Sequence, residues 1–434
     1  MFSPRSLLSS FPRISSFLRA MHPRSLSISD FTYDLPNDRI AQEPLVQRDS
    51  SRLLLYRNGA LEDHRFKELP DLLPSGALLV LNNTRVVNAR LFFQRSTGAR
   101  IEVLCLEPAA SMPVETAFAQ RGGCSWNGFV GNAKRWKEGE VLELQALRTL
   151  PGDDDRSSAS PVVLKAEREG EERIRFTWQP RELTFAEVLE QVGHVPLPPY
   201  MKRPDEASDK DRYNTVFAKH EGSVAAPTAS LHFSPEVLVR LDTKGIERTE
   251  LTLHVGAGTF LPVKSDRMAD HAMHGEQVRV PLASLERVLD RLGKGPVVAV
   301  GTTALRTLES VYWHGVMLLQ GRAGAEMAIG QWEPYDHAEA DLPDARRALE
   351  AVIEQMKQGP EQRLVGRTEL LIAPGYQVRM ADALVTNFHQ PQSTLLLLVA
   401  AFIGPDWRRV YQHALDQGYR FLSYGDGSLL WKRT

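Results

Sequence analysis

Val297-Val298-Ala299-Val300-Gly301-Thr302-Thr303 is the stretch whose reading decides the fold. Its first four residues are apolar and mostly β-branched, which reads as a buried strand. Gly301-Thr302-Thr303 ends that strand in a small polar loop, and Leu305, Leu308, Val311 and Tyr312 then recur on one face of a helix. The arrangement repeats. Leu251 to Val255 runs into Gly256-Ala257-Gly258-Thr259, and Phe421-Leu422 runs into Ser423-Tyr424-Gly425-Asp426. Ala383 to Val385 runs into Thr386-Asn387-Phe388-His389, after which Ser393 caps the apolar helix that starts at Leu395. Repeated strand, polar loop and helix indicate an α/β sheet, in which ligands lie beyond the carboxyl ends of the strands. The polar residues at these ends therefore predict one site.

The character changes between Leu91 and about Pro180. Short segments, several of them alternating, run from Ala99 to Glu107, Val114 to Gln120, Trp126 to Lys134, Glu140 to Ala146, Val162 to Glu169 and Glu172 to Gln179. Close turn signals separate them. This part reads as a small antiparallel barrel or sandwich over residues 93–180, inserted into an α/β domain of residues 30–92 and 181–434. Asp153 to Ser160 reads as a polar loop within it. Met1 to Ser29 stands apart, with four arginines, many serines and no acidic residue before Asp30. That stretch reads as an unstructured leader or an organelle transit peptide, and is set aside from the fold.

Composition narrows the function classes. A chain of 434 residues suggests two or three domains. Lys and Arg number 52 against 54 Asp and Glu, so overall charge gives no support to a nucleic-acid coat, although a local basic patch is compatible with it. Cys105 and Cys124 are the only cysteines, which excludes a cysteine zinc cluster and a disulfide framework. They fit a reducing compartment, so a cytoplasmic protein is expected, with import into an organelle as the alternative. The longest apolar run, Leu395 to Ile403, falls far short of the ~20 residues of a membrane span. No Gly-Lys-Ser/Thr phosphate loop, Gly-x-Gly-x-x-Gly, His-Glu-x-x-His or Gly-x-Ser-x-Gly occurs, so ATP hydrolysis, NAD chemistry, zinc proteolysis and serine hydrolysis lose their usual support.

The residues that can carry chemistry lie in the loops. His271, His274 and Glu276 form a compact cluster, in which a helix would put both imidazoles on one face. Two histidines are too few for a metal, so the cluster supplies either an acid–base group or a solvent-facing structural pair. His232, His254 and His389 sit in comparable Gly-, Thr- or Pro-marked loops, which suggests a site for a polar substrate. Gly256 and Gly258 either admit a nucleoside close to the backbone or form a tight turn. Lys134, Arg135 and Lys137 lie near Trp126 and Trp136, a mixture that suits either a nucleic-acid strand or a solvated basic turn.

Taken together, these loops match a known family. The matching text is Asp30-Phe31-x-Tyr33-x-Leu35-Pro36, Leu81-Asn82-Asn83-Thr84-Arg85-Val86, Leu197-Pro198-Pro199-Tyr200 and Ser223 to Ala229. It continues through Leu231-His232-Phe233, Leu253 to Phe260, Met273-His274-x-Glu276 and Val300-Gly301-Thr302-Thr303. Thr386-Asn387-Phe388-His389, Tyr419-Arg420-Phe421 and Ser423 to Asp426 complete it. In these motifs the chain resembles the S-adenosylmethionine:tRNA ribosyltransferase-isomerases of queuosine biosynthesis. The resemblance implies an α/β, barrel-like catalytic domain with an inserted small antiparallel β-barrel.

It also implies the reaction. The ribosyl part of S-adenosylmethionine is transferred and isomerised onto a 7-aminomethyl-7-deazaguanine base in tRNA, giving epoxyqueuosine-tRNA, adenine and methionine. S-adenosylmethionine is then a consumed substrate, with no further cofactor and no metal expected. Partners are the precursor tRNA and S-adenosylmethionine, with no membrane, and the enzyme is expected as a monomer. On this resemblance His232, His254 and Glu276 are the catalytic candidates. Asn83, Arg85, Thr228, Gly256, Gly258, Thr302, Thr303, Arg306, Asn387, His389 and Asp426 are candidates for substrate binding, and Lys134 and Arg135 for tRNA phosphates. Rival readings are another S-adenosylmethionine-dependent RNA modifier, such as a methyltransferase, or an inactive tRNA-binding homologue. Free adenine as product separates the first reading from both.

Overall fold

A computed structural model describes residues 22–109, 112–146, 161–256 and 263–433. Leu78–Asn82 forms a strand at the centre, buried throughout, and its alternation splits it between two cores. Leu78 and Val80 enter the core that holds Leu305 and Leu308, whereas Leu79 and Leu81 enter a second core with Phe233 and Val237. Val297–Val300 divides the same way, so the run of apolar residues marks a strand covered on both faces.

Among the described residues ten strands form the main sheet, in the order Met327–Ile329, Arg363–Thr368, Glu276–Pro281, Glu247–His254, Leu78–Asn82, Val297–Val300, Ala383–Asn387, Gly427–Trp431, Arg52–Arg57 and Ala60–Arg65. Glu247–His254, Leu78–Asn82, Val297–Val300 and Ala383–Asn387 are mutually parallel, so their carboxyl ends share one edge. The helix Thr302–Leu319 leaves that edge and packs on one face together with Ala345–Gln358 and Leu282–Arg291. In Ala345–Gln358 the buried residues are Ala348, Leu349, Val352, Ile353 and Met356, the last four at the helical spacing visible in the sequence.

Among the described residues the inserted unit is a six-stranded antiparallel sheet, ordered Arg90–Gln94, Arg100–Pro108, Gly123–Gly131, Arg173–Gln179, Val162–Arg168 and Leu142–Ala146. Its end strands lie against each other, which nearly closes a barrel. The molecule is thus α/β, with a large mixed sheet and an inserted small barrel. The barrel begins at Arg90, and the helix Phe185–Val192 seals its core, so the unit extends on both sides of residues 93–180.

Three local readings change. Val114–Phe118 is a helix rather than a strand segment, and its buried residues Val114, Ala117 and Phe118 follow the i, i+3, i+4 spacing of a helix. Phe421-Leu422 makes only an isolated bridge to Ile40, and the strand follows at Gly427–Trp431. Two backbone N–H groups bound to the Asp426 carboxylate, from Arg52 and Arg420, fix the turn between them. Residues 22–29 also belong to the fold, since Leu26 and Ile28 are buried in the main core and Ser27 bridges to Arg267. The polar loop at 153–160 lies outside the described residues.

Candidate active site

At the shared carboxyl edge the Leu78–Asn82 strand ends in a side chain that ties three elements together. Asn82 donates to the Leu253 carbonyl at 3.0 Å and to Thr303 Oγ1 at 3.2 Å, and accepts from the Leu253 N–H at 3.1 Å. Gly301 turns the neighbouring strand into its helix with a φ of 93°, a conformation that favours glycine. Thr302 and Thr303 are thereby presented at the first turn of a helix, where N–H groups have no intrahelical partner.

These residues open onto a cavity that Thr228, Thr302, Thr303, Asn387 and His389 line together. Ala225, Ala226, Pro227, Ala229 and Val255 add small apolar lining to it. Among the described residues that line it, none is Asp, Glu, Lys or Arg. Thr228 Oγ1 donates to Asn387 Oδ1 at 2.8 Å, and Asn387 Nδ2 in turn donates to His232 Nε2 at 3.2 Å. His232 must then carry its proton on Nδ1, which meets Ser51 Oγ at 2.9 Å. His389 Nε2 meets Thr386 Oγ1 at 2.9 Å. Burial holds both imidazoles neutral, pushing each down to about 3, with the Arg420 charge adding to the effect at His232.

His254 lies on the other side of the sheet. Leu253 faces the core beneath the Thr302–Leu319 helix, so the next side chain turns away, toward the inserted barrel. Its Nδ1 meets Thr84 Oγ1 at 2.9 Å, and its Nε2 meets Glu115 Oε1 at 3.2 Å. Glu115 also binds Arg279 at 2.7 Å. Burial alone would raise the Glu115 carboxyl, but the His254 hydrogen bond and the Arg279 charge outweigh it and hold the group below the ordinary carboxylate range. Gly222 leaves room for the imidazole, since a Cβ there would lie 2.5 Å from His254 Cε1.

The remaining candidates are dispersed. Glu276 is buried and paired with Arg306 at 2.5 Å, on the sheet face opposite His254. His271 and His274 precede it outside any helix, so the shared helical face does not exist. Among the described residues no group of three His, Cys, Asp or Glu side chains could hold a metal. Asn83 is tied to Glu250 at 2.9 Å and Thr252 at 2.7 Å, away from the cavity. Its neighbour Asn82, turned the other way by the alternation of strand side chains, instead holds the cavity-lining Thr303 from beneath the lining. Arg85 is exposed beside Glu221, and Asp426 is committed to its turn. Gly256 ends the described part of its loop, and Gly258 lies outside the described residues.

Lys134 and Arg135 are exposed on the Ala133–Arg135 turn of the barrel. Trp126 and Trp136, however, are buried in the barrel core and cannot stack on bases, so aromatic stacking there is overturned. Asn82, Thr84, Ser223 and Glu115 were absent from the candidates. The first three stand inside quoted motifs, whereas Glu115 arrives from the inserted unit and only the helical spacing of its segment marks it.

A profile described as queuosine biosynthesis protein matches residues 28–335 and 343–430. Proteins called S-adenosylmethionine:tRNA ribosyltransferase-isomerase are 39% identical over 93% of this chain and 100% of their own in Chlorobium luteolum, and 41% identical over 94% and 98% in Azoarcus sp.. The chain belongs to this enzyme family. A further family member, from Anaeromyxobacter dehalogenans, is 39% identical over 94% of this chain and 100% of its own. A solved S-adenosylmethionine tRNA ribosyltransferase from Thermotoga maritima is 28% identical, covering 93% of this chain and 100% of that one with a TM-score of 0.44. Among the described residues no helix is long and apolar enough to cross a membrane.

Proposed function

We propose that this enzyme transfers and isomerises the ribosyl moiety of S-adenosylmethionine onto the 7-aminomethyl-7-deazaguanine base of tRNA, yielding epoxyqueuosine-tRNA, adenine and methionine. The observation that carries the reading is the uncharged cavity at the parallel strand ends, built from the family's own motifs. S-adenosylmethionine is a sulfonium cation whose adenosine offers hydroxyls and ring nitrogens. Thr228, Thr302, Thr303 and Asn387 supply matching hydroxyl and amide groups. A neutral His389 adds no repulsion to the sulfonium.

The sulfonium acidifies the adjacent ribose 5′-carbon, so a base there opens the sugar and lets adenine depart. We assign the acid–base role to His254, which stands one residue before the cavity-lining Val255 and has a carboxylate partner in Glu115, whereas Glu276 is paired with Arg306 and His232 is held between Asn387 and Ser51. S-adenosylmethionine enters as a consumed substrate without a separate cofactor. Lys134 and Arg135 meet tRNA phosphates by charge alone. The family resemblance supports a monomer, and the free, buried Cys105 and Cys124 support a reducing, cytoplasmic setting.

Mass spectrometry of precursor tRNA incubated with the protein and S-adenosylmethionine tests the proposal. Epoxyqueuosine in the tRNA together with free adenine and methionine is expected. S-adenosylhomocysteine as the product, or tRNA binding without adenine release, would overturn it.

A further inference from the structure

A second cleft lies beside the neutral cavity, and Ser423 lines both. Its character is the opposite: Arg48, Arg212 and Arg420 line it together, with His232 and Ser51. These arginines come from widely separated segments and are fixed largely by main-chain carbonyls. Arg48 Nη1 donates to the Asn214 carbonyl at 3.2 Å, Arg212 to the carbonyls of Leu45 and Val46, and Arg420 to that of Glu43 at 3.4 Å.

Two neighbouring carboxylates, Asp209 and Asp426, are occupied elsewhere, and Asp211 acts on Arg48 only from beyond ion-pair distance. Asp209 is held by Arg203 at 2.7 and 2.9 Å and by the Tyr424 hydroxyl at 2.9 Å. Asp426 lies 3.7 Å from Arg420, but its oxygens accept backbone N–H groups at 2.8 Å. Among the described residues neither Arg48 nor Arg212 has a carboxylate within ion-pair distance. Burial, and then the Arg212 charge, draw the Arg48 guanidinium below its ordinary value, outweighing the opposing Tyr424 and Asp211 charges. A guanidinium has five N–H donors, so each arginine retains donors beyond its carbonyl contacts. Ser51 accepts from His232 Nδ1, which leaves its hydroxyl hydrogen available as well.

Half-buried, carbonyl-braced arginines, of which Arg48 and Arg212 lack an ion-paired carboxylate, form a receptor for an anion, and the planar fork of arginine fits phosphate oxygens. We propose that this cleft binds a backbone phosphodiester of the tRNA strand next to the nucleotide whose base enters the neutral cavity. The inference rests on the tRNA-modifying function given above. It divides the strand end of the sheet by charge: the sulfonium on the uncharged side, the phosphate on the cationic side.

Equilibrium binding of precursor tRNA to the full chain over a salt series tests this without requiring turnover. The proteins compared are wild type, Arg48→Gln, Arg48→Lys and Lys357→Gln, the last a charge control at a surface pair with Glu286. Arg48→Gln should raise the tRNA Kd about ten- to a hundredfold, as for a lost hydrogen bond to a charged group. It should also flatten the slope of log affinity against log salt by about 0.7–0.9. Arg48→Lys, which keeps the charge and loses the fork, should fall between, while Lys357→Gln should match wild type.

S-adenosylmethionine affinity and melting temperature, followed in parallel, separate a lost contact from a lost fold. An unchanged tRNA Kd and slope in Arg48→Gln would overturn the cleft while leaving the catalytic reading intact, since product formation by wild type judges that reading separately. Inorganic phosphate that raises the melting temperature of wild type alone, with tRNA affinity equal in all proteins, would make the cleft a free-phosphate site and overturn the RNA assignment.

Discussion

His232 and His389 show how single residues here are governed by burial. Each imidazole sits in the strand-end network and is pushed down to about 3 from an ordinary 6.5. Both stay neutral in the folded protein while the unfolded chain protonates near pH 6.5. The unfolded state therefore binds more protons between those values. The stability these groups allow is full above about pH 6.5 and declines as pH falls toward 3. Each contributes a slope of about 1.4 kcal/mol per pH unit within that window. Unfolding free energies from urea titrations between pH 7 and 4.5 should fall more steeply for wild type than for His389→Gln. Equal slopes would mean that His389 titrates normally.

Among the elements, the short helix Val114–Phe118 links the inserted barrel to the main sheet. Glu115 carries that link, joining His254 on one strand to Arg279 on the next. We expect Glu115→Ala to lower kcat about ten- to a hundredfold by releasing the His254 ring, less than the 10²–10⁴-fold expected for His254→Ala. KM for S-adenosylmethionine should stay near wild type, and Glu115→Gln, which preserves a hydrogen bond, should recover part of the loss. Steady-state kinetics on the three variants would show instead an unchanged kcat for Glu115→Ala if the barrel were merely attached. The strand-end loops and the cavity lining from Thr228, Thr302, Thr303, Asn387 and His389 were legible in the sequence because local polarity after an apolar run marks them. Glu115 and the cluster of Arg48, Arg212 and Arg420 were not, since each depends on segments brought together only by tertiary packing. Strand direction is equally hidden: the sequence marks Asn83, whereas the alternation of side chains turns Asn82 toward Thr303 and Asn83 toward Glu250.

At the scale of the whole molecule, residues 22–29, the end of the arginine- and serine-rich stretch before Asp30, contribute to stability despite that composition. Residues Pro23–Ser25 and Ile28–Asp30 form short 3-10 turns that hold the segment against the main domain. Leu26 and Ile28 are 3% and 5% exposed, in the core that also contains the Thr302–Leu319 helix residues. Backbone bonds fasten the segment, from the Ile28 N–H to the Asp266 carbonyl at 3.2 Å and from the Met268 N–H to the Leu26 carbonyl at 3.1 Å. Burying the two side chains is worth on the order of 3–6 kcal/mol together, as an upper estimate. A chain shortened to begin at Met21 should therefore melt and turn over like the full chain. One shortened to begin at Asp30 should lose several degrees of melting temperature, and Leu26→Ala within the full chain should reproduce about half of that loss. The segment sits on the face opposite His254, so turnover per folded molecule should be largely kept below the new melting point. Melting curves and adenine release on the three proteins decide the matter: equal melting of the two truncations would show that Leu26 and Ile28 add nothing to the core.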